Sequence, residues 1–295
     1  MYSVPDDRPL DPVTLHVVRD LHDACTTLGI AYMLVGARAR DLLLTHVFGF
    51  PVERATRDID VAVAVPDWPT FDRITTWLAA YRDGWSPPRT LRHRATYHVV
   101  DTPGHADVDV DVDVVPFGAV ENPPTTITWP PDGVIRMNVA GFAEALRHAA
   151  HVRIAPDLRV PVASLPGLAM LKLFAWADRR LTNAKDAGDL LLLLHRYAEA
   201  GNEDRLYAGE MDILKRCDYN FEIAGAYLLG ADVAVIADPA TRTQISALLN
   251  DAHLWDRLVL DLARGGTYSH AVDDDSLTAI DSLLSHFVAG LSSRP

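Results

Sequence analysis

Lysine is almost missing from this sequence. Lys172, Lys185 and Lys215 are the only three among 27 basic residues, and the rest are arginine. Cysteine is nearly absent as well. Cys25 and Cys217 cannot build a disulfide framework or a four-thiolate metal site, so both are read as reduced thiols. No run of 18 uncharged apolar residues occurs, which excludes a membrane span. No basic-then-apolar leader opens the chain, which starts MYSVPDDRPL, and the expected location is the cytoplasm. Positive charge is in deficit: 27 basic residues face 40 acids, a formal net charge of −13. That balance excludes a protein that coats nucleic acid through its global field, though not one with a local basic groove. The twelve histidines show no ligand spacing, and no Ser–His–Asp or Cys–His arrangement stands out. What is present, 49% hydrophobic and 23% charged residues over 295 positions, describes a folded chain of one large or two ordinary domains.

The first helix is well signalled by Asp11 as cap, Pro12 at the first position and Gly29 at the end. A buried strand follows over 30–35, then Gly36 and a second helix over 37–46. Another strand spans 58–65 and a helix runs from about 71 to 81. Residues 91–100 and 106–115 read as two strands joined by a turn at 101–105. A strand is expected at 134–139, a short helix at 141–150, and short strands at 152–154 and 160–163. From Pro166 the pattern changes to Leu/Ala-rich helices over 166–181, 184–199, 203–216, 219–230, 240–254 and 275–290. The expectation is an α/β domain over 1–165 and a helical domain over 166–295.

Alternate residues of a strand face opposite ways. Asp58 and Asp60 therefore share one face, and Ile59 and Val61 the other. Two carboxylates so placed repel unless a cation lies between them, and a hard divalent ion such as Mg²⁺ suits an all-oxygen site. The alternative is a solvated strand face. Asp107, Asp109, Asp111 and Asp113 alternate with valines in the same way. One of the four can complete a triad with Asp58 and Asp60, and most of the others are expected to face water. Lys172 sits in the apolar helix Leu168-Ala-Met-Leu-Lys-Leu-Phe-Ala-Trp176, where an unpaired ammonium is costly. It must reach an anion or snorkel to water. Asp186 and Asp189 sit at i and i+3 of the next helix, where either a pair that orients Lys172 or a purely structural interhelical ion pair is expected.

Taken in order, these parts form a pattern. Leu34-Val-Gly-Ala-Arg-Ala-Arg-Asp41 is a strand, glycine turn and helix start. Arg54-Ala-Thr-Arg-Asp-Ile-Asp60 leads into the second strand, and Val112-Asp-Val-Val-Pro-Phe-Gly118 ends the third. Leu171-Lys-Leu173 and Arg180-Leu-Thr-Asn-Ala-Lys-Asp-Ala-Gly-Asp-Leu190 follow. Over residues 30 to 200 this resembles the DNA polymerase β-like nucleotidyltransferase superfamily, and more narrowly the AbiEii nucleotidyltransferase toxins of type IV toxin–antitoxin and abortive-infection systems. One departure is Ala37, where the family usually carries a second Gly or Ser.

The resemblance implies a polymerase β-like domain with a small mixed sheet, followed by the helical domain. It implies Asp58, Asp60 and Asp113 as Mg²⁺ ligands and, with Lys172, Asp186 and Asp189, as the catalytic set. Gly36, Ala37, Arg40, Thr56 and Lys172 would bind the NTP. The implied reaction moves NMP from NTP to an acceptor, with the 3′ end of tRNA first among candidates and a cognate antitoxin as protein partner. A small-molecule or protein hydroxyl as acceptor is a second reading, and an inactive nucleotide- or partner-binding module a third. Arg38, Arg40, Arg54 and Arg57 flank the expected site and either meet a phosphate backbone or pair with Asp41 and Glu53. Residues 221–295, with ten acids against four arginines, are not expected to carry RNA. Lys172 is expected to be dispensable for folding.

Overall fold

A computed structural model describes residues 1–51, 58–86, 92–98, 109–265 and 273–293. The chain divides into two compact units, Met1–Ala163 and Ser164–Pro295. The first unit contains, in order, β1 (Tyr2–Ser3), α1 (Pro12–Leu28), β2 (Ala31–Val35), α2 (Gly36–Asp41), β3 (Ile59–Ala64), α3 (Trp68–Tyr81), β4 (Trp85–Ser86), β5 (Arg94–His98), β6 (Asp109–Phe117), β7 (Thr126–Thr128), β8 (Arg136–Asn138), α4 (Phe142–Arg147), β9 (Ala150–Ala155) and β10 (Leu158–Val162). Eight strands form one mixed sheet in the order β1-β9-β10-β2-β3-β6-β5-β4, and β7 and β8 pair separately. The sheet is wider than the small sheet expected, because two-residue strands too short to show a period extend both edges.

Local chemistry explains the main elements. Asp11 caps α1 by accepting from the Thr14 N–H at 2.9 Å, and Gly29 closes it in the left-handed conformation. Ile59, Val61 and Val63 of β3 are fully buried, as are Ile74 and Leu78 of α3. α1 and α3 pack against each other. The expected second helix departs from a regular α form. It begins at Gly36 and continues as a π-helical segment over Leu42–Val47, for which the apolar periodicity gave no sign.

Among the described residues the elements of the second unit are helices: α5 (Leu165–Arg179), α6 (Lys185–Arg196), α7 (Glu203–Ala208), α8 (Met211–Arg216), α9 (Phe221–Ile236), α10 (Pro239–Leu249), α11 (Ala252–Ala263) and α12 (Asp274–Leu291). Two expected helices are each broken in two. The segment 203–216 parts at Gly209 and Glu210. The segment 240–254 parts at Asn250 and Asp251, where Asp251 caps α11 through the His253 and Leu254 N–H groups at 2.9 and 3.0 Å. Among the described residues no helix is long and apolar enough to cross a membrane.

α9 is the axis of this unit, buried over most of its length. α12 meets it backbone to backbone. A Cβ on Gly290 would fall on the Tyr227 carbonyl oxygen, and one on Gly230 on that of Phe287. Alanine in a helix interior normally gains about 1 kcal/mol over glycine. Here Gly290→Ala is expected to lose about 1–3 kcal/mol, because the helices must separate. Denaturant unfolding of the two proteins checks the sign, and a midpoint at or above wild type would refute the backbone contact.

Candidate active site

The strand reading of the first carboxylates holds. Asp58 lies just ahead of β3 and is exposed, Asp60 is half-buried, and Ile59 between them is fully buried. The two acids therefore face one way, roughly 7 Å apart along the strand. Asp60 sits opposite Val35 of β2 on one side and Asp113 of β6 on the other. Val35 is the last residue before the glycine turn. Gly36 has φ +71°, and a Cβ there would overlap Asp60 Oδ2. Glycine is thus required twice: for the left-handed backbone, and because the carboxylate rests against its Cα. Ala37 follows, half-buried at the start of α2.

Asp113 has a different neighbour from the one expected. Its Oδ1 accepts from Arg94 Nε and its Oδ2 from Arg94 Nη2, both at 2.8 Å. Arg94 Nη1 also reaches Asp111 Oδ2 at 3.1 Å. Arg94 and Asp113 are register partners in the antiparallel β5–β6 pair. The hydrogen bonds to Asp113, with the charges of Asp113, Asp111 and Asp58, hold the guanidinium pKa above its ordinary value against a smaller opposing effect of burial.

The alternation on β6 is answered residue for residue on β5. Thr96 Oγ1 donates to Asp111 at 3.3 Å, and His98 Nδ1 lies 2.7 Å from Asp109. His98 Nε2 in turn lies 2.7 Å from Ser86 Oγ on β4. The described aspartates of β6 are therefore partnered, not merely solvated. The sequence carried the signal in Arg94-x-Thr-x-His98, polar side chains at period two opposite the acidic ones. It went unread, as did the Ser86–His98–Asp109 chain, because its members come from three strands.

A divalent ion fits part of this arrangement. Asp58 and Asp60 offer hard oxygen donors on one face, and the glycine turn keeps the space beside Asp60 clear of a side chain. The three-carboxylate set read from the sequence is not assembled. Among the described residues no three His, Cys, Asp or Glu side chains converge to hold a metal, since both oxygens of Asp113 face Arg94. Arg40 also departs from its expected role. Its guanidinium is almost wholly buried and held by Asp41 at 2.6 Å, so it is turned into the fold. Arg38 is more open and stands 3.9 Å from Asp11. Thr56, Arg54, Arg57 and Asp107 lie outside the described residues.

The helical unit holds its own charged cluster. Lys172 Nζ sits 3.0 Å from Asp186 Oδ1 and 2.5 Å from Asp189 Oδ2, and Arg179 Nη2 bonds Asp186 Oδ2 at 2.6 Å. Both aspartates are buried. Burial opposes the charge on Lys172, but Asp189 and Asp186 outweigh it and raise its pKa. The lysine is therefore protonated at neutral pH. Its stabilising contribution is complete below the unfolded-state value of about 10.4 and fades as pH climbs from there toward the raised folded value.

These contacts correct the expectation that Lys172 is dispensable for folding. Lys172→Met removes the ammonium from between two buried carboxylates, and stability should fall by about 3–5 kcal/mol. The gap between the two proteins should narrow above pH about 10.4, which denaturant melts across pH would show. A gap that is small at pH 7, or constant to pH 11, would contradict the ion-pair account. Gly36→Ala should lower stability by about 1–3 kcal/mol through the left-handed backbone and the displaced carboxylate. An unfolding midpoint equal to wild type would show that Asp60 does not rest on that Cα.

The solved structures similar to this chain at low identity include the following. The antibiotic-resistance factor ANT(2'')-Ia is 13% identical, with 71% of this chain and 99% of that chain covered and a TM-score of 0.38. A CCA-adding enzyme solved with ATP is 14% identical over 96% and 80% of the two chains, at 0.25. The Thermotoga maritima CCA-adding enzyme complexed with tRNA is 13% identical over 97% and 81%, at 0.26. At such scores these likenesses carry no argument. No curated protein matches the sequence. The family description "Nucleotidyl transferase AbiEii toxin, Type IV TA system" matches residues 33–256, most of the chain and both of its units. The glycine turn, the Asp58–Asp60 strand and the Lys172 helix all fall inside that span, and the chain belongs to the AbiEii family of nucleotidyltransferase toxins.

Proposed function

We propose that this nucleotidyltransferase transfers NMP from a Mg²⁺-bound NTP to the 3′ end of a tRNA, and that a cognate antitoxin protein restrains it. The observation that carries the metal–nucleotide part is the pair Asp58 and Asp60 on one strand face, with Asp60 set against the Gly36 turn. The acceptor and the antitoxin rest on the family. In the reaction the acceptor oxygen bonds to the α-phosphorus, the bond between the α-phosphorus and the bridging oxygen breaks, and pyrophosphate leaves. When bound, the ion clamps the triphosphate and offsets charge that develops on it. Asp58 and Asp60 supply the charge that holds it. Gly36 has no side chain of its own, so its main chain lies directly against the Asp60 carboxylate that would hold the ion. The family resemblance gives Lys172, kept protonated by Asp189 and Asp186, as a cation for the triphosphate. The net charge of −13 is the argument for a small-molecule or protein hydroxyl as the rival acceptor.

The test incubates the protein with Mg²⁺, each α-labelled NTP in turn, and total cellular RNA. Label in tRNA is the expected result. Label only in protein or small molecules would replace the acceptor, and none anywhere would refute transferase activity toward these acceptors. Asp58→Asn and Asp60→Asn should each lower transfer at least 100-fold, about 2.7 kcal/mol, and relieve any growth arrest. Asp58 is exposed, so the melting temperature of Asp58→Asn should stay within about 1–2 °C of wild type. Full transfer by either variant would sink the metal assignment.

A further inference from the structure

The third strand of the site carries a cation of its own. We propose that Arg94 is the built-in counter-charge of Asp113, so that this chain takes one divalent ion, at Asp58 and Asp60, and not a pair of ions shared with Asp113. The inference rests on the metal–nucleotide reading above and deepens it. The fork geometry is the first argument. Two parallel N–H···O bonds of 2.8 Å, from Nε and Nη2, match the two oxygens of one carboxylate. Such bidentate pairs are the strong, orientation-fixing kind.

Register is the second argument. Asp60, Asp113 and Arg94 face one another in sequence across β3, β6 and β5. The guanidinium is thus placed by the sheet itself and not by a mobile loop side chain. Its third contact, to Asp111 at 3.1 Å, anchors it from the next position along β6. Charge balance is the third argument. A second divalent ion on Asp113 would stand beside a fixed guanidinium, a like-charge contact that disfavours loading. Arg94 uses three of its five N–H donors on these carboxylates, and the remaining two suit a phosphate or acceptor oxygen. Arg94 is therefore a positioning residue for the carboxylate face, and Asp113 acts through it.

Counting bound metal tests this. The wild-type chain with a non-hydrolysable NTP analogue is titrated with Mn²⁺, and bound ions are counted by electron paramagnetic resonance and by calorimetry. One Mn²⁺ per chain is expected. Arg94→Gln should bind two, and Arg94→Gln combined with Asp113→Asn should return to one. Arg94→Lys, which keeps a cation, should also stay at one. Melting curves confirm that each variant is folded, and a variant that does not fold is replaced by Asp113→Asn alone. That variant should leave the wild-type count at one, and a fall below one would overturn the proposal. Two Mn²⁺ in wild type, or one in folded Arg94→Gln, would overturn it while leaving the metal–nucleotide reading intact. No Mn²⁺ in wild type would remove that reading, and this inference with it.

Discussion

Carboxylates in register on neighbouring strands repel one another unless cations lie among them. That constraint organises the face of the sheet on which this enzyme's chemistry is placed. Asp60 on β3 stands opposite Asp113 on β6, with Asp58 and Asp111 two residues back on the same strands. The protein meets the repulsion from one side with Arg94, fixed by the β5 register. The other side, at Asp58 and Asp60, is where a divalent ion and its nucleotide are proposed to complete the balance.

The helical unit solves the same problem with the signs exchanged. A lysine in an apolar helix has to find anions, and α6 delivers two from positions one turn apart. The resulting cluster keeps Lys172 charged and fixes its direction. Under the proposed role, function and stability rest on the same contacts, and removing the ammonium is expected to harm both. Arg179, on the second oxygen of Asp186, prevents that aspartate from turning away.

Much of this was legible in the sequence. The same-face placement of Asp58 and Asp60, the glycine turn and the Lys172 helix follow from strand and helix periods alone, and the ordered set pointed to the family. The i, i+3 spacing of Asp186 and Asp189 put both acids on one face of the helix after Lys172, and a pair with that lysine is one of two readings. Contacts between strands far apart in sequence were not legible. Arg94 precedes Asp113 by 19 positions, and only the antiparallel register of β5 on β6 makes them partners. Arg40 misled for a related reason. Basic residues beside a glycine turn suggest phosphate, but a neighbouring Asp41 draws the guanidinium inward. The helix breaks at Gly209 and Asn250 were visible as residues and lost under continuous Leu/Ala content.

The close approach of α9 and α12 at Gly230 and Gly290 bears on how this chain fails. α12 is the last helix of the sequence, yet it lies close enough to α9 to exclude even a methyl group. α9 is apolar on nearly every side, so it has no polar face to offer water if that cover is lost. A frameshift or stop codon that removes residues 274–291 would uncover the axis of the helical unit. The product would be a target for aggregation and proteolysis, not a smaller folded protein.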